Sequence, residues 1–577
     1  MNRLLIIICF IVCLMIPAMT SSQTKWDLEI SATDGIKLPS YQHKHNDTLS
    51  LKKELVRVIQ IIQQKGHISS SIDTIHKGES DWHAILDAGP KFRWAQISIG
   101  NINPRFLSRA GFREKIFWKE LIRFERILTL NKRLFREYEN NGYPFAVVGL
   151  DSILFNGNDS ISARLHVEKG PSILYDSIIQ SGKGRVAEAY LRSYLSLKRR
   201  KPYNESNVRK IETKLKELPF LSPASSPIVL FKPEGTSNIS LSLNKKNANQ
   251  FSGIIGLVPK SDQDGGFLIT GDVKIRLHNL LRRGELLDIQ WQRLQAATQN
   301  LSVQLQYPFL FNLPLGIDAR LQFFRVDTAY FTVALQASAM YLMAGTDFLR
   351  AFYQFQTSRK ILNEDGQSTL SGIANSDFNM AGLGMQIERL DFRVNPRKGY
   401  TLKGDVAMGA KSIFLTPSDT VNTLDSAKTG MLQVSLFAQA EGYIPIYKRL
   451  IIKLGAKGAW QYNSISFHND LFRIGGLRTL RGFDEESIYA SAYTIGTLEL
   501  RYLIDEYSHV LIFGDAGWYN RNIRDDYYQS FVIGFGAGLT FNTRIGMFTV
   551  NYALGAQKEQ PIDFRRSKIH LGYITYF

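Results

Sequence analysis

The chain has 577 residues and a formal net charge of +18, and it is too long for a single hydrophobic core, so several domains are expected. Its two cysteines, Cys9 and Cys13, both fall in an apolar run near the amino terminus. The remainder therefore has no disulfide, no zinc–thiolate site and no cysteine nucleophile.

Residues 1–22 carry Arg3, an apolar stretch from Leu4 to Ile16 and a small-residue exit from Pro17 to Ser22. That order describes a secretory signal peptide, and the apolar run is shorter than the ~20 residues a spanning helix needs. No later stretch is apolar enough for such a helix, but alternating barrel strands barely register in hydropathy. The charge is uneven. Residues 23–249 hold 36 Lys and Arg against 23 Asp and Glu, whereas residues 250–577 hold 33 against 29. A basic arm suits solvated faces, anionic lipid headgroups or acidic clients.

Residues 26–246 repeat with a period near 76. Gly66 recurs as Gly142, with Leu218-Pro219 at the same interval, and Gly89-Pro90 returns as Gly170-Pro171. The repeats are placed at residues 26–91, 92–171 and 172–246. The second predicts a strand at Phe92–Gly100, helix from Arg113 to Asn140, and strands at Ala146–Phe155 and Ile161–Glu168. The third predicts a strand at Ile173–Gln180, helices at Val186–Leu197 and Asn204–Leu218, and two closing strands. The order is β-α-α-β-β, a helix pair over a small sheet. The first copy is less regular.

Residues 250–577 alternate instead. Leu432, Val434, Leu436 and Ala438 oppose Gln433, Ser435, Gln439 and Glu441, and such dyads run for about ten residues. Strands of a soluble sandwich average nearer 5–6 residues, so these predict transmembrane strands. About 16 are counted, an even number that suits a closed antiparallel barrel. Short turns at Met343–Thr346 and Asn542–Ile545 alternate with long polar loops at Ser358–Phe378, Lys411–Gly430, Tyr462–Ala490 and Gln557–Ser567. That asymmetry belongs to an outer-membrane barrel.

The longest loop contains Gly475-Gly476-Leu477-Arg478-Thr479-Leu480-Arg481-Gly482-Phe483, and a later strand contains Phe513-Gly514-Asp515-Ala516-Gly517. With Asp391-Phe392-Arg393…Pro396…Gly399 and the terminal Phe577, the chain resembles the BamA/TamA superfamily, which also includes the two-partner secretion transporters. The resemblance implies that the repeats are POTRA domains, three as in the TamA-like branch, ahead of a 16-stranded transmembrane barrel. It implies a bacterial outer-membrane location with the repeats in the periplasm. It also marks Arg481, Gly482 and Phe483 as a loop motif facing Phe513, Asp515 and Gly517. Strand parity agrees: Leu498, Leu500 and Tyr502 share one face, so Glu499 points to the lumen, and Asp515 does likewise. Arg481 is expected to meet Asp515 or Glu499 there through charge-assisted bonds.

Gly253 and Gly256 in the first barrel strand and Gly572 in the last, which ends at Phe577, predict a weakly paired lateral seam. Accommodation of barrel curvature explains the same glycines equally well. No zinc-protease, serine-hydrolase or phosphate-loop motif is present, so neither an enzyme nor a cofactor is expected. Gly534-Phe535-Gly536-Ala537-Gly538 reads as barrel strand rather than dinucleotide loop. The function expected is insertion or assembly of client proteins at the outer membrane, with assembly partners and lipid but no nucleic acid. The alternative is polypeptide export of the two-partner type, which typically has two repeats and a plugging helix. A passive porin fits the repeats poorly.

Overall fold

The computed structural model of the protein describes residues 26–33, 35–157, 159–259, 267–295, 298–326, 329–343, 345–361, 372–414, 427–523, 526–558 and 560–577. The expected signal peptide at residues 1–22 lies outside them. Two compact units emerge. The first covers the described residues up to Leu174 with Pro202–Ser206 and Pro233–Gly235, and the second covers the rest.

In the first unit, β1 (Trp26–Ala32), β2 (Lys44–His45), α1 (Thr48–Gln64), β3 (Ser71–Lys77) and β4 (Asp81–Asp87) form one small domain with sheet order β2-β1-β4-β3. Leu51, Leu55, Val58 and Ile62 recur every three or four residues along α1 and pack on Leu28, Ile30, Trp82 and Leu86. Asp47 caps the helix by accepting from the Ser50 amide at 2.6 Å. A single helix stands here where the repeat pattern has two. Residues 35–43, which include Pro39, lead into β2 without helical structure.

The second domain consists of β5 (Arg93–Ile99), α2 (Pro104–Ala110), α3 (Glu114–Phe117), α4 (Phe124–Glu139), β6 (Val147–Asn156) and β7 (Ser160–Glu168), with sheet order β5-β7-β6. Ile127, Leu130, Leu134 and Tyr138 form the buried face of α4. The helical pattern expected as one stretch is interrupted by Lys119, whose φ of 58° no helix accommodates. The 76-residue period has a physical basis. Gly66 and Gly142 end their helices at φ 104° and 96°, and their carbonyls accept from Phe92 N and Ile173 N at 2.9 and 2.8 Å. Each repeat thus closes where the next begins.

The third domain, most of whose residues belong to the second unit, consists of β8 (Leu174–Ser181), α5 (Glu188–Leu195), α6 (Glu205–Arg209), α7 (Ile211–Glu217), β9 (Leu221–Pro223), β10 (Ile228–Lys232) and β11 (Thr236–Lys245). This third domain rests on barrel turns. Ala187 N donates to Arg282 O at 2.7 Å, and Tyr190 and Tyr194 meet the ring of Phe309 edge-on at 5.4 and 6.2 Å.

The barrel begins at Gln250. Its strands are β12 (Gln250–Pro259), β13 (Phe267–His278), β14 (Leu286–Gln295), β15 (Thr298–Tyr307), β16 (Leu315–Val326) and β17 (Tyr330–Leu342). Next come β18 (Phe348–Lys360), β19 (Asn375–Leu390), β20 (Gly399–Phe414), β21 (Ala427–Tyr447) and β22 (Leu450–Asn463). A loop with the small hairpin β23 (Phe472–Ile474) and β24 (Ile488–Ala490) follows. The last strands are β25 (Ala492–Leu503), β26 (His509–Ile523), β27 (Asp526–Thr543), β28 (Gly546–Gln557) and β29 (Lys568–Tyr576). Sixteen antiparallel strands close through β12 and β29. Asp272, Asp288, Gln292, Asn300, Asp318 and Gln336 are buried in its interior, while Leu335, Leu383, Met408 and Leu498 are exposed. Polar side chains facing a shared lumen satisfy one another, as where Gln290 and Gln292 both donate to Asp272 at 2.9 Å.

Candidate functional site

The loop between β22 and β25 folds into the barrel. Leu480 and Phe483 are buried with Ile474, Ile488, Tyr493, Ile495, Tyr519 and Val532, so the loop has an apolar core shared with the wall. The Thr479 hydroxyl accepts from Gly475 N at 2.8 Å, and Glu485 Oε1 accepts from Leu477 N at 2.8 Å. These bonds satisfy a backbone that forms no regular structure.

Arg481 sits at the tip. Its Nε and Nη2 each donate to one oxygen of Asp515 at 2.8 Å, a bidentate pair, and its backbone N reaches Asp515 Oδ2 at 3.2 Å. Nη1 donates to Glu499 Oε2 at 3.1 Å. The guanidinium lies 3.6 Å over the ring of Phe513. Thr497 Oγ1 donates to Asp515 at 2.9 Å, and Arg501 Nε donates to Glu499 at 2.5 Å. Parity explains the convergence: in β25 and β26, Glu499, Phe513, Asp515 and Gly517 are buried while Leu498, Val510 and Ile512 are exposed. All seven residues singled out in the loop motif and its two facing strands therefore lie in or against one buried cluster.

Gly482 has φ 92°, and a Cβ there would collide with the backbone of Leu554 and Gly555. The wall is hollowed to match. A Cβ at Gly534 would strike the carbonyl of Arg481, and one at Gly555 would strike that of Gly482 at 2.5 Å. Sequence reading treats Gly534 only as part of a strand. Its signal was there: Gly534, Gly536 and Gly538 all take the inward parity of β27, so a row of missing side chains faces the lumen.

A second anchor was not foreseen. Lys411 of β20 and Asp470 of the loop form an ion pair with both side chains about 1% exposed. The ammonium lies 5.1 Å from the rings of Phe378 and Phe467. Beside it, Asn469 donates to Ser358 Oγ at 2.7 Å and to Ala374 O at 2.9 Å. These partners lie 50 to over 100 residues apart, and no spacing rule links them.

The seam glycines are brought together. Gly253 stands opposite Tyr573, Gly256 opposite His570, and Gly572 opposite Ile254, in a ladder of eight pairs from Gln250–Tyr576 to Leu257–Ile569. Tyr573 lies near Phe251 and Phe548, with ring centroids at 6.4 and 5.0 Å. Phe577 N donates to Asn249 O at 3.0 Å. The Asp391 stretch is the turn between β19 and β20, where Asp391 Oδ1 accepts from Arg397 N and Lys398 N at 3.0 and 3.1 Å. Among the described residues no group of acidic, His and Cys side chains is placed to hold a metal ion.

The family model of the Omp85 superfamily domain matches residues 279–573. The chain belongs to the Omp85 superfamily. No curated protein matches it. Among solved structures, CdiB from Acinetobacter baumannii matches with TM-score 0.55 and 15% identity over 92% of this chain and 98% of its own. CdiB from Escherichia coli gives 0.54 and 14% over 94% and 100%. BamA from Haemophilus ducreyi lacking POTRA domains 1–3 gives 0.46 and 16% over 83% and 100%. This Omp85 protein is thus an outer-membrane β-barrel with POTRA-like domains.

Proposed function

We propose that the protein inserts client proteins into the outer membrane, working without a cofactor or a covalent step, with its three amino-terminal domains in the periplasm. The observation that carries this reading is a free template edge. β6 lies at the edge of its sheet, ten residues long, with Val147, Ile153, Leu154 and Phe155 exposed. An unpaired edge with apolar side chains accepts an extended client segment by β-augmentation. Such a client then needs paired backbone in hydrocarbon, where each unsatisfied group costs several kcal/mol. The β12–β29 seam supplies that pairing if its eight-residue ladder opens.

The test uses the full chain in liposomes with an unfolded barrel client. Leu154→Lys places a charge on the free edge and leaves the barrel untouched. Slower client capture and insertion with an unchanged barrel melt supports the reading. Unchanged insertion contradicts a docking role for β6.

A second reading, export through the lumen, is favoured by one feature. A cavity of about 390 Å³ is lined by Gln322, Gln336, Gln354, Gln356, Gln433 and Gln461 among others. Amide side chains both donate and accept, as an extended polypeptide requires. The loop carrying Arg481 would have to leave the barrel for a chain to pass. Locking the seam separates the two readings, since it blocks lateral insertion and spares export.

A further inference from the structure

The loop tip touches more than the Arg481 cluster. Arg478 Nη2 lies 2.8 Å from Asp272 Oδ2 on β13, and Lys568 Nζ, at the start of β29, lies 2.7 Å from Asp484 Oδ1. β13 is one strand inside the seam on one side, and β29 is the seam strand on the other. Asp272 stands opposite Ile254 of β12, and Ile254 stands opposite Gly572 of β29. One cross-barrel row therefore runs from the strand held by Arg478, through β12, to the strand held by Asp484. Neighbouring strands are ~4.8 Å apart and Lys568 lies four residues before Gly572 on β29, so the span is about 17 Å, within the ~20 Å reach of the segment 478–484.

We infer that residues 478–484 form a strap across the inside of the seam, with Arg478 and Asp484 as positioning residues that hold β12 and β29 together. Arg481 is the midpoint of the strap and fixes it to β25 and β26 through Glu499 and Asp515. Separating β12 from β29 stretches the strap against both ion pairs, so the seam opens when at least one end lets go. Neither pair lies in the seam's own hydrogen-bond ladder. Side chains of an extracellular loop thereby set how readily the seam opens, a control the glycines alone do not provide. The inference rests on the proposed lateral route for its consequence but not for its geometry.

The experiment places spin labels at Ile255 and Leu571, which are directly paired across the seam and exposed on the outer face. Distances are measured by pulsed electron resonance in liposomes. The parent protein should give one narrow distance. Arg478→Gln with Asp484→Asn should add a population longer by at least one strand width, about 5 Å. The swap Asp484→Lys with Lys568→Glu should restore the narrow distance, while Lys568→Glu alone should not. These variants also cover the case in which the double neutralisation does not fold. An unchanged distance distribution in the neutralised or the Lys568→Glu protein overturns the strap. A wider seam with unchanged client insertion upholds the strap and overturns the lateral route.

Discussion

The carbonyl of Arg481 lies directly against Gly534 of β27, in space that a Cβ would fill. The position is a socket for the loop backbone, separate from the acids that hold the guanidinium. Gly534→Val should keep Arg481, Glu499 and Asp515 yet stop the tip from seating. The expected result is a folded barrel whose loop becomes sensitive to protease added outside, as in Arg481→Ala. A protease-resistant loop in Gly534→Val would show that the strand's glycines serve curvature alone.

Arg481→Ala leaves Asp515 and Glu499 buried without their shared partner. The predicted loss is roughly 3–5 kcal/mol if the site stays dry, read as an earlier heat-induced shift in gel mobility. Arg481→Lys retains the charge but not the planar fork and should lie between. Asp515→Ala should match Arg481→Ala, and the double variant should be no worse than the worse single. Strictly additive losses would show that the two residues act independently.

The Lys411–Asp470 pair makes a contrasting case. Lys411→Met alone strands a buried carboxylate and should destabilise the barrel by about 3–5 kcal/mol. Lys411→Met with Asp470→Asn removes both charges, and the amide oxygen can still accept from Phe467 N, now bonded to Asp470 at 2.7 Å. This double variant should recover most of the loss in the same melting assay. A double variant as weak as Lys411→Met would mean the ion pair itself is required.

Glu485 gives the loop a pH dependence. Burial pushes its carboxyl up to about 7 from an ordinary value of 4.5, and Glu486 and Asp272 add to the rise against the pull of Leu477 N and Arg478. A carboxyl raised in the docked state binds more protons there than in the released state, between about 4.5 and 7. Docking is therefore firmest below 4.5 and weakens as pH climbs to about 7. Loop proteolysis should be faster at pH 8 than at pH 5, and Glu485→Gln should flatten the difference. An unaltered profile in Glu485→Gln would place the titration elsewhere.

Much of this architecture was legible because it rests on period and parity. Alternation from Phe251 onward marks the change to barrel strands, next to the start of β12 at Gln250, and the parity of β25 and β26 gives Glu499 and Asp515 the same inward face. What escaped depended on partners distant in sequence. Lys411 sits in an ordinary alternating strand, and nothing nearby announces that Asp470 will cover it. The helix α2 was missed although Asn103 followed by Pro104 is a start signal, an amide cap before a residue with no amide proton to satisfy. The absent helix of the first domain reflects a short segment with a proline. Several strands also run past their predicted ends, as β18 does to Lys360, because ladder pairing continues where the apolar alternation has stopped.

The proposed route of clients into the membrane is the β12–β29 seam. Cys9 and Cys13, the chain's two cysteines, both fall within the expected signal peptide, so a pair introduced as Ile255→Cys and Leu571→Cys, which stand opposite each other, can be closed selectively. Paired Cα atoms of an antiparallel ladder lie ~4.5–5.5 Å apart, within the disulfide range. Client insertion into liposomes is then measured before and after oxidation, with the cross-link verified and the barrel shown to be folded. Oxidation should abolish insertion, and reductant should restore it. Full insertion by the cross-linked protein would contradict the lateral route.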